Sequence, residues 1–275
     1  MKDNVNIIFL GDIVGRQGRR VVENYITSLG ENKPDFLIAN VENASHGFGL
    51  TKKNHDELSR MGIDVFTSGN HIWDKREIFD YIAESDRLIR PLNYPKNTPG
   101  VGYRIIEKNG IKLGVINVLG RTFMNLTDSP WEILEETVKK IKEETPLIFV
   151  DVHAEATAEK LCMARFCDEL GVSVLVGTHT HILTADDRIF ENGLGYITDA
   201  GYCGDTSGII GMNYEQSIRR MISLLPERLD VSVSDDLQIN GVELSVNILT
   251  GKTETIKRID LKYKDTEGNI IMKGK

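Results

Sequence analysis

The stretch VSVLVGTHTH, residues 172–181, decides how the rest of the chain is read. An apolar, β-branched run ends in two histidines one residue apart. Successive side chains of extended backbone face opposite ways, so an extended ending would turn His179 and His181 to one side and Thr178 and Thr180 to the other. The expectation is a buried strand that delivers two imidazoles to its carboxyl end.

Other short runs have the same character. NVNIIFLG, DFLIANV, DVFTSG and PLIFVDV are apolar and β-rich, as strands buried on both faces require. Between them, Arg20–Leu29, Lys52–Met61, Lys75–Glu84, Trp131–Glu144 and Glu155–Leu170 space their apolar residues as helices do. This alternation predicts an α/β fold with helices packed on a largely parallel sheet. Asn109-Gly110, set between alternating runs, predicts a β-hairpin, and the segment LQINGVELSVNILTGKTETIKRIDLKY predicts a second one near the C-terminus, so the sheet is expected to be mixed. The tail KDTEGNIIMKGK is expected to fray.

Composition narrows the function. A length of 275 residues with 40% hydrophobic content suits one domain over 1–275, and no repeat or Pro-rich linker divides it. A net charge of -8 argues against broad binding to nucleic acid or to an anionic membrane. Cys162, Cys167 and Cys203 cannot all pair, and none sits in a CxxC spacing, which points to free thiols in a reducing cytoplasm. The start MKDNVNIIFLGD resembles neither a signal peptide nor a membrane span.

The chemistry lies in what each strand ends on. The runs end in GD, VEN, GNH, DVHAE and GTHTH, and in an open parallel sheet such ends share the ligand-binding edge. Asp12, Glu42, Asn43, Asn70, His71, His153, His179 and His181 are therefore expected together, and they include four of the six histidines. Imidazole mixed with carboxylate and amide oxygen suits manganese, iron(II) or zinc better than calcium or magnesium. The donors outnumber what one ion takes from protein, so two ions sharing a carboxylate are expected. Singly, each residue has a plain structural reading. Asp12 could cap a helix, Asn43 and Asn70 could hold turns, and His153 could sit satisfied in the core. Five strand ends carrying such residues at once favour the site.

In order, GDIVG, VENASHGFG, GNHIWD, VDVHAEAT, GTHTHILTAD and ITDAGYCG resemble the calcineurin-like metallophosphoesterases, and within them the YmdB-like cyclic-nucleotide phosphodiesterases. The usual Asp-x-His opening is absent, since Ile13 and Val14 follow Asp12, and VEN stands where a bridging aspartate is usual; both departures are the subgroup's own pattern. The resemblance implies an α/β/β/α sandwich with mixed sheets and outer helices. It implies one metal held by Asp12, Glu42, Asn43 and His181 and a second held by Glu42, Asn70, His153 and His179, iron or manganese being expected. It further implies that 2',3'-cyclic nucleotides are hydrolysed to 3'-nucleotides by a metal-bridging hydroxide, with His71 as the acid for the leaving group.

The partner of His71 is left open, because Ile72 and Trp73 separate it from Asp74. Phe48 or Trp73 could stack on a base and Arg121 could touch phosphate, or all three could be ordinary packing and surface residues. A phosphatase or nuclease acting on other phosphate esters, or a regulatory metal-binding protein with weak phosphodiesterase activity, is the alternative. Assembly into a homo-oligomer stays open. A nucleotide-binding module is disfavoured, since GDIVGRQGRR has neither GxGxxG nor GK[ST] spacing.

Overall fold

The computed structural model describes residues 2–266 and 268–273. Its strands are β1 (Asn4–Leu10), β2 (Asp12–Ile13), β3 (Phe36–Asn40), β4 (Val65–Thr67), β5 (Tyr103–Lys108), β6 (Ile111–Leu119), β7 (Ile148–His153), β8 (Val174–Thr178), β9 (Arg188–Ile189), β10 (Gly195–Ile197), β11 (Tyr202–Asp205), β12 (Asp236–Asn247), β13 (Thr253–Thr266) and β14 (Asn269–Met272). Its α-helices are α1 (Gly15–Ser28), α2 (Lys52–Arg60), α3 (Pro130–Lys142), α4 (Thr157–Glu169) and α5 (Tyr214–Ser223).

The strand pattern by itself suggests one sheet; there are two, as the family resemblance implies. The first has the order β14-β13-β12-β1-β3-β4, with β11 and β2 attached beside β12; the second runs β5-β6-β7-β8-β10-β9. The apolar runs explain this through their burial. Val5, Ile7 and Phe9 of β1 and Phe36 and Ile38 of β3 face Phe149, Val174 and Val176 of the second sheet. Ile8 and Leu10 turn instead toward α1 and α2, while Ile148, Val150 and Val152 of β7 turn toward α3 and α4. Each strand is thus apolar on both faces because one face meets helices and the other meets a sheet. Phe9 stacks on Phe149 between the sheets at 5.2 Å. Truncating either ring to alanine would cost about 3–5 kcal/mol.

The result is an α/β/β/α sandwich. β1, β3 and β4 run parallel in one sheet, and β7 and β8 run parallel in the other. The expected hairpin joins β5 to β6 through Asn109 and Gly110, both at positive φ (53° and 79°), as a tight two-residue turn demands. In the second hairpin Asn240-Gly241 lies inside β12, and the chain turns at residues 248–252.

Three local expectations change, and one helix is new. α1 begins at Gly15, before Arg20. Lys75–Glu84 forms a short 3-10 turn at Arg76–Asp80 instead of an α-helix, following another at Ile72–Asp74, with Lys75 extended between them. The tail does not fray through residues 269–272, which pair with β13; Glu267, Gly274 and Lys275 lie outside the described residues. α5 was not foreseen, since its apolar residues Met221 and Ile222 face outward, 75% and 80% exposed. Among the described residues no helix is long and apolar enough to cross a membrane.

Candidate metal centre

The expected residues converge at one end of the sandwich, contributed by both sheets. Asp12 is in β2 directly after β1, Glu42 and Asn43 follow β3, Asn70 and His71 follow β4, His153 ends β7, and His179 and His181 follow β8. Their contacts form two groups joined by Glu42. In one, the Asn43 amide Nδ2 lies 3.1 Å from His181 Nε2, 3.3 Å from Glu42 Oε1 and 3.5 Å from Asp12 Oδ1. In the other, His153 Nε2 lies 3.0 Å from Glu42 Oε1 and 3.1 Å from both Asn70 Oδ1 and His179 Nδ1.

The histidine pair is placed by a different device from the pleat expected for it. β8 ends at Thr178, and His179 and His181 both adopt left-handed backbone, φ 100° and 62°. Such conformations cost roughly 1–3 kcal/mol and persist only where surroundings enforce them. Here Asp199 enforces them. Its Oδ2 accepts from the Thr180 backbone at 3.0 Å and the Thr180 hydroxyl at 2.8 Å, and Lys160 Nζ meets the same oxygen at 2.7 Å. Both members of this ion pair are fully buried. The left-handed turns separate the imidazoles, sending His179 to the group of His153 and His181 to that of Asp12.

Further hydrogen bonds choose which ring nitrogen faces inward. His153 Nδ1 donates to Thr178 Oγ1 at 2.9 Å, and Thr178 donates on to Asp151 Oδ1 at 2.7 Å. His181 Nδ1 donates to the Ile210 carbonyl at 2.9 Å, and Glu155 Oε2 lies 3.1 Å from His179 Nε2. Each ring therefore presents its other nitrogen to the centre, the usual role of outer partners around metal-binding histidines. Burial pushes Asp151 up to about 7, although Asn40, Thr67 and Thr178 all donate to it.

The electrostatics call for a cation. Burial opposes ionisation of Asp12, yet hydrogen bonding and the charge of His181 hold it well below the usual carboxylate range. Burial likewise opposes the charged form of His153, and the Glu42 carboxylate overrides it, raising that ring to about 9. Burial and the neighbouring His153 push His179 down to about 3. The two buried carboxylates, Asp12 and Glu42, thus draw positive charge onto the neighbouring rings of His181 and His153.

A divalent ion fits this donor set. Donor atoms of Glu42, His153 and His179 all lie within 4.8 Å of one another. Asn43 Oδ1 is buried without a hydrogen-bond partner among the described residues, and turning its amide about χ2 puts that oxygen among the acceptors. Gly69 is also telling, since a Cβ there would run into the His153 ring and the Glu42 carboxylate. The chain leaves open the space between these donors.

A model of the YmdB-like protein family matches residues 8–259. The chain belongs to that family. A Bacillus subtilis (strain 168) relative, a 2',3'-cyclic-nucleotide 2'-phosphodiesterase, is 44% identical over 256 residues, which are 93% of this chain and 96% of the relative. The crystal structure of a novel phosphatase of Mycoplasma pneumoniae superposes with a TM-score of 0.89 at 34% identity, covering 98% of this YmdB-like chain and 97% of that one. A hypothetical protein of Thermus thermophilus superposes with a TM-score of 0.87 at 33% identity, covering 94% and 99%. The metallophosphoesterase architecture of the family implies divalent metal, in keeping with the donor set of this YmdB-like centre.

His71 stands beside the donors. Its backbone N–H donates to Glu42 Oε2 at 2.8 Å, and its Nδ1 lies 2.8 Å from Asp74 Oδ2. Phe48 packs edge-on to its ring at 5.0 Å. Trp73 stacks on Phe79 and abuts Tyr94, a packing role, while Arg121 is exposed on the loop after β6. Reasoning from sequence left Asp74 open and missed Thr178, Asp151, Glu155 and the Lys160–Asp199 pair. All but Lys160 lie within the motifs GNHIWD, VDVHAEAT, GTHTHILTAD and ITDAGYCG, but nothing in those motifs separates an orienting residue from a strand residue.

Proposed function

We propose that this protein is a dinuclear-metal phosphodiesterase that opens 2',3'-cyclic nucleotides to 3'-nucleotides. The observation that carries this reading is the convergence of Glu42, His153 and His179 donor atoms within 4.8 Å, next to an imidazole whose Nδ1 is already engaged. The name of the Bacillus relative supports the substrate class. Asp12, Glu42, Asn43 and His181 would hold one ion, and Glu42, Asn70, His153 and His179 the other, with iron or manganese suited to this nitrogen and oxygen set. When bound, the ions supply Lewis acidity, polarising phosphoryl oxygens and lowering the pKa of water.

The chain's own residues account for the rest of the reaction, in which water adds across the bond between phosphorus and O2'. Asp74 accepts the Nδ1 proton of His71 and so leaves Nε2 as the atom that hands a proton to the departing O2'. Glu42 Oε2, accepting the His71 backbone N–H, ties this acid to the metal-holding carboxylate. Phe48 limits rotation of the ring. The neutral ligands Asn43, Asn70 and the histidines leave two bound divalent ions in positive excess, which favours an anionic ester despite the chain's net charge of -8. The three free cysteines suit a cytoplasmic setting, and the whole chain acts as one domain in this reading.

The test is hydrolysis of 2',3'-cyclic, 3',5'-cyclic and linear phosphate esters by protein loaded with manganese or iron(II), with Glu42→Ala as control. Metal-dependent opening of 2',3'-cyclic nucleotides to 3'-nucleotides is expected. Preference for monoesters would replace the reading by a phosphatase, and no hydrolysis of any ester would end the enzyme reading.

A further inference from the structure

Beside the metal centre lies a cleft of about 470 Å³ that the reaction as described does not use. Phe48 forms part of its wall and also meets the His71 ring, so the cleft and the proposed proton donor share this aromatic side chain. Lys75 lines it too, one residue beyond Asp74. Arg16, at the start of α1, and Arg228, from the segment after α5, complete a cluster of three cations.

These cations are conspicuous in a chain with 41 acidic residues against 33 basic ones. Arg19, Arg20 and Arg219 pair with carboxylates at 3.0, 2.6 and 2.5 Å. Among the described residues, no carboxylate oxygen lies within 4.0 Å of the charged nitrogens of Arg16, Lys75 or Arg228. Asp230 also lines the cleft, but its Oδ2 accepts from Gln216 Nε2 at 2.8 Å. The cleft therefore carries a net positive charge that the protein itself does not neutralise. Arginine side chains in this arrangement suit the oxygens of a phosphate.

The scissile phosphate has its own positive partner in the metal centre, so the cleft serves a different anionic group. We propose that it binds a phosphate carried on the 5' oxygen of the same nucleoside whose 2',3'-cyclic phosphate reaches His71. This rests on the phosphodiesterase reading above and narrows its substrate class. The 5' carbon projects from the opposite side of the ribose to O2', so in this proposal a group on it points away from His71 and into the cleft that Phe48 also lines. The 5' phosphate has two sources, a terminal monophosphate or the linkage to a preceding nucleotide, and Phe48 offers a surface on which a base can stack in either case.

Two measurements test this with purified, metal-loaded protein. In the first, kcat/KM is compared for adenosine 2',3'-cyclic phosphate, its 5'-phosphorylated form, and the dinucleotide ApA ending in a 2',3'-cyclic phosphate. A KM about 10-fold lower for at least one of the phosphate-bearing substrates is expected, with a steeper loss on adding salt. Preference for the dinucleotide alone identifies an oligonucleotide end, and preference for the 5'-monophosphate identifies a small nucleotide. The Arg16→Gln/Arg228→Gln double variant should lower that selectivity ratio about 10-fold at unchanged Tm, both side chains being exposed. Equal KM values in the wild type, or an unchanged ratio in the variant, would overturn the subsite.

In the second measurement, calorimetry compares 3'-phosphoadenosine 5'-phosphate with 3'-AMP, ligands that need no turnover. Tighter binding of the bisphosphate that disappears in the double variant supports the subsite even if no ester is hydrolysed, in which case the phosphodiesterase reading alone falls. Equal binding of the two ligands overturns the subsite and leaves that reading intact.

Discussion

Oδ2 of Asp74 lies 2.8 Å from Nδ1 of His71, across the single 3-10 turn Ile72–Asp74. Three residues per turn bring positions i and i+3 together, so the two intervening residues are the means by which the carboxylate reaches the ring. His71→Ala should lower turnover by about 10²-fold or more with metal content unchanged. Asp74→Ala keeps the acid but frees its tautomer, and a smaller loss of roughly 10-fold in kcat is expected. Full activity of a metal-replete His71→Ala protein would remove this residue from the chemistry.

Thr178 links His153 to Asp151 through one hydroxyl. Thr178→Val keeps the shape and removes the link, so the His153 ring loses the partner that aims Nε2 inward. Manganese affinity, read by competition with a fluorescent chelator, should fall about 10–100-fold, the range for outer partners of metal-binding histidines. Unchanged affinity would mean that packing alone holds the ring.

Gly69 offers no ligand atom, yet its substitution should empty the centre. A methyl group there overlaps the His153 ring and the Glu42 carboxylate. Gly69→Ala should retain its circular dichroism spectrum while elemental analysis finds little bound metal. Glu42→Gln and His179→Ala should lose metal as well, whereas His71→Ala should not, which separates residues that hold metal from the one that moves a proton.

Lys160 and Asp199 are each fully buried, and Asp199 also holds Thr180 between the two histidines. Lys160→Met leaves the carboxylate buried without its cation, a change that costs about 3–5 kcal/mol. Calorimetric melting should show a fall in Tm of roughly 10 °C for a chain of this size. Lys160→Met/Asp199→Asn should recover part of that stability, and a Tm unaffected by Lys160→Met would show that the pair contributes nothing net.

Much of the site was legible because strand ends in an α/β protein share an edge. The runs before Asp12, Glu42, Asn70, His153 and His179 are plain in the sequence, and their last residues carry the donors. The Lys75–Glu84 segment misled because its apolar spacing is helical, whereas its backbone starts from an extended Lys75 and makes only the short 3-10 turn Arg76–Asp80. α5 escaped notice because Met221 and Ile222 face outward, so no buried stripe marks it.

By itself the sequence determined that this is an α/β protein with a donor-rich strand edge, because burial imposes apolar runs and a metal centre imposes residue types, and both are local requirements written into composition and order. Residue patterns alone left open whether the edge belongs to one sheet or two; the tertiary structure shows two facing sheets and places His179 beside His153 and His181 beside Asn43 and Asp12. Those are long-range facts. A strand apolar on both faces is compatible with a helix or a sheet as its neighbour. The one-residue gap in GTHTH became a separation between two groups of donors only because Asp199, buried with Lys160, holds Thr180 between two left-handed turns.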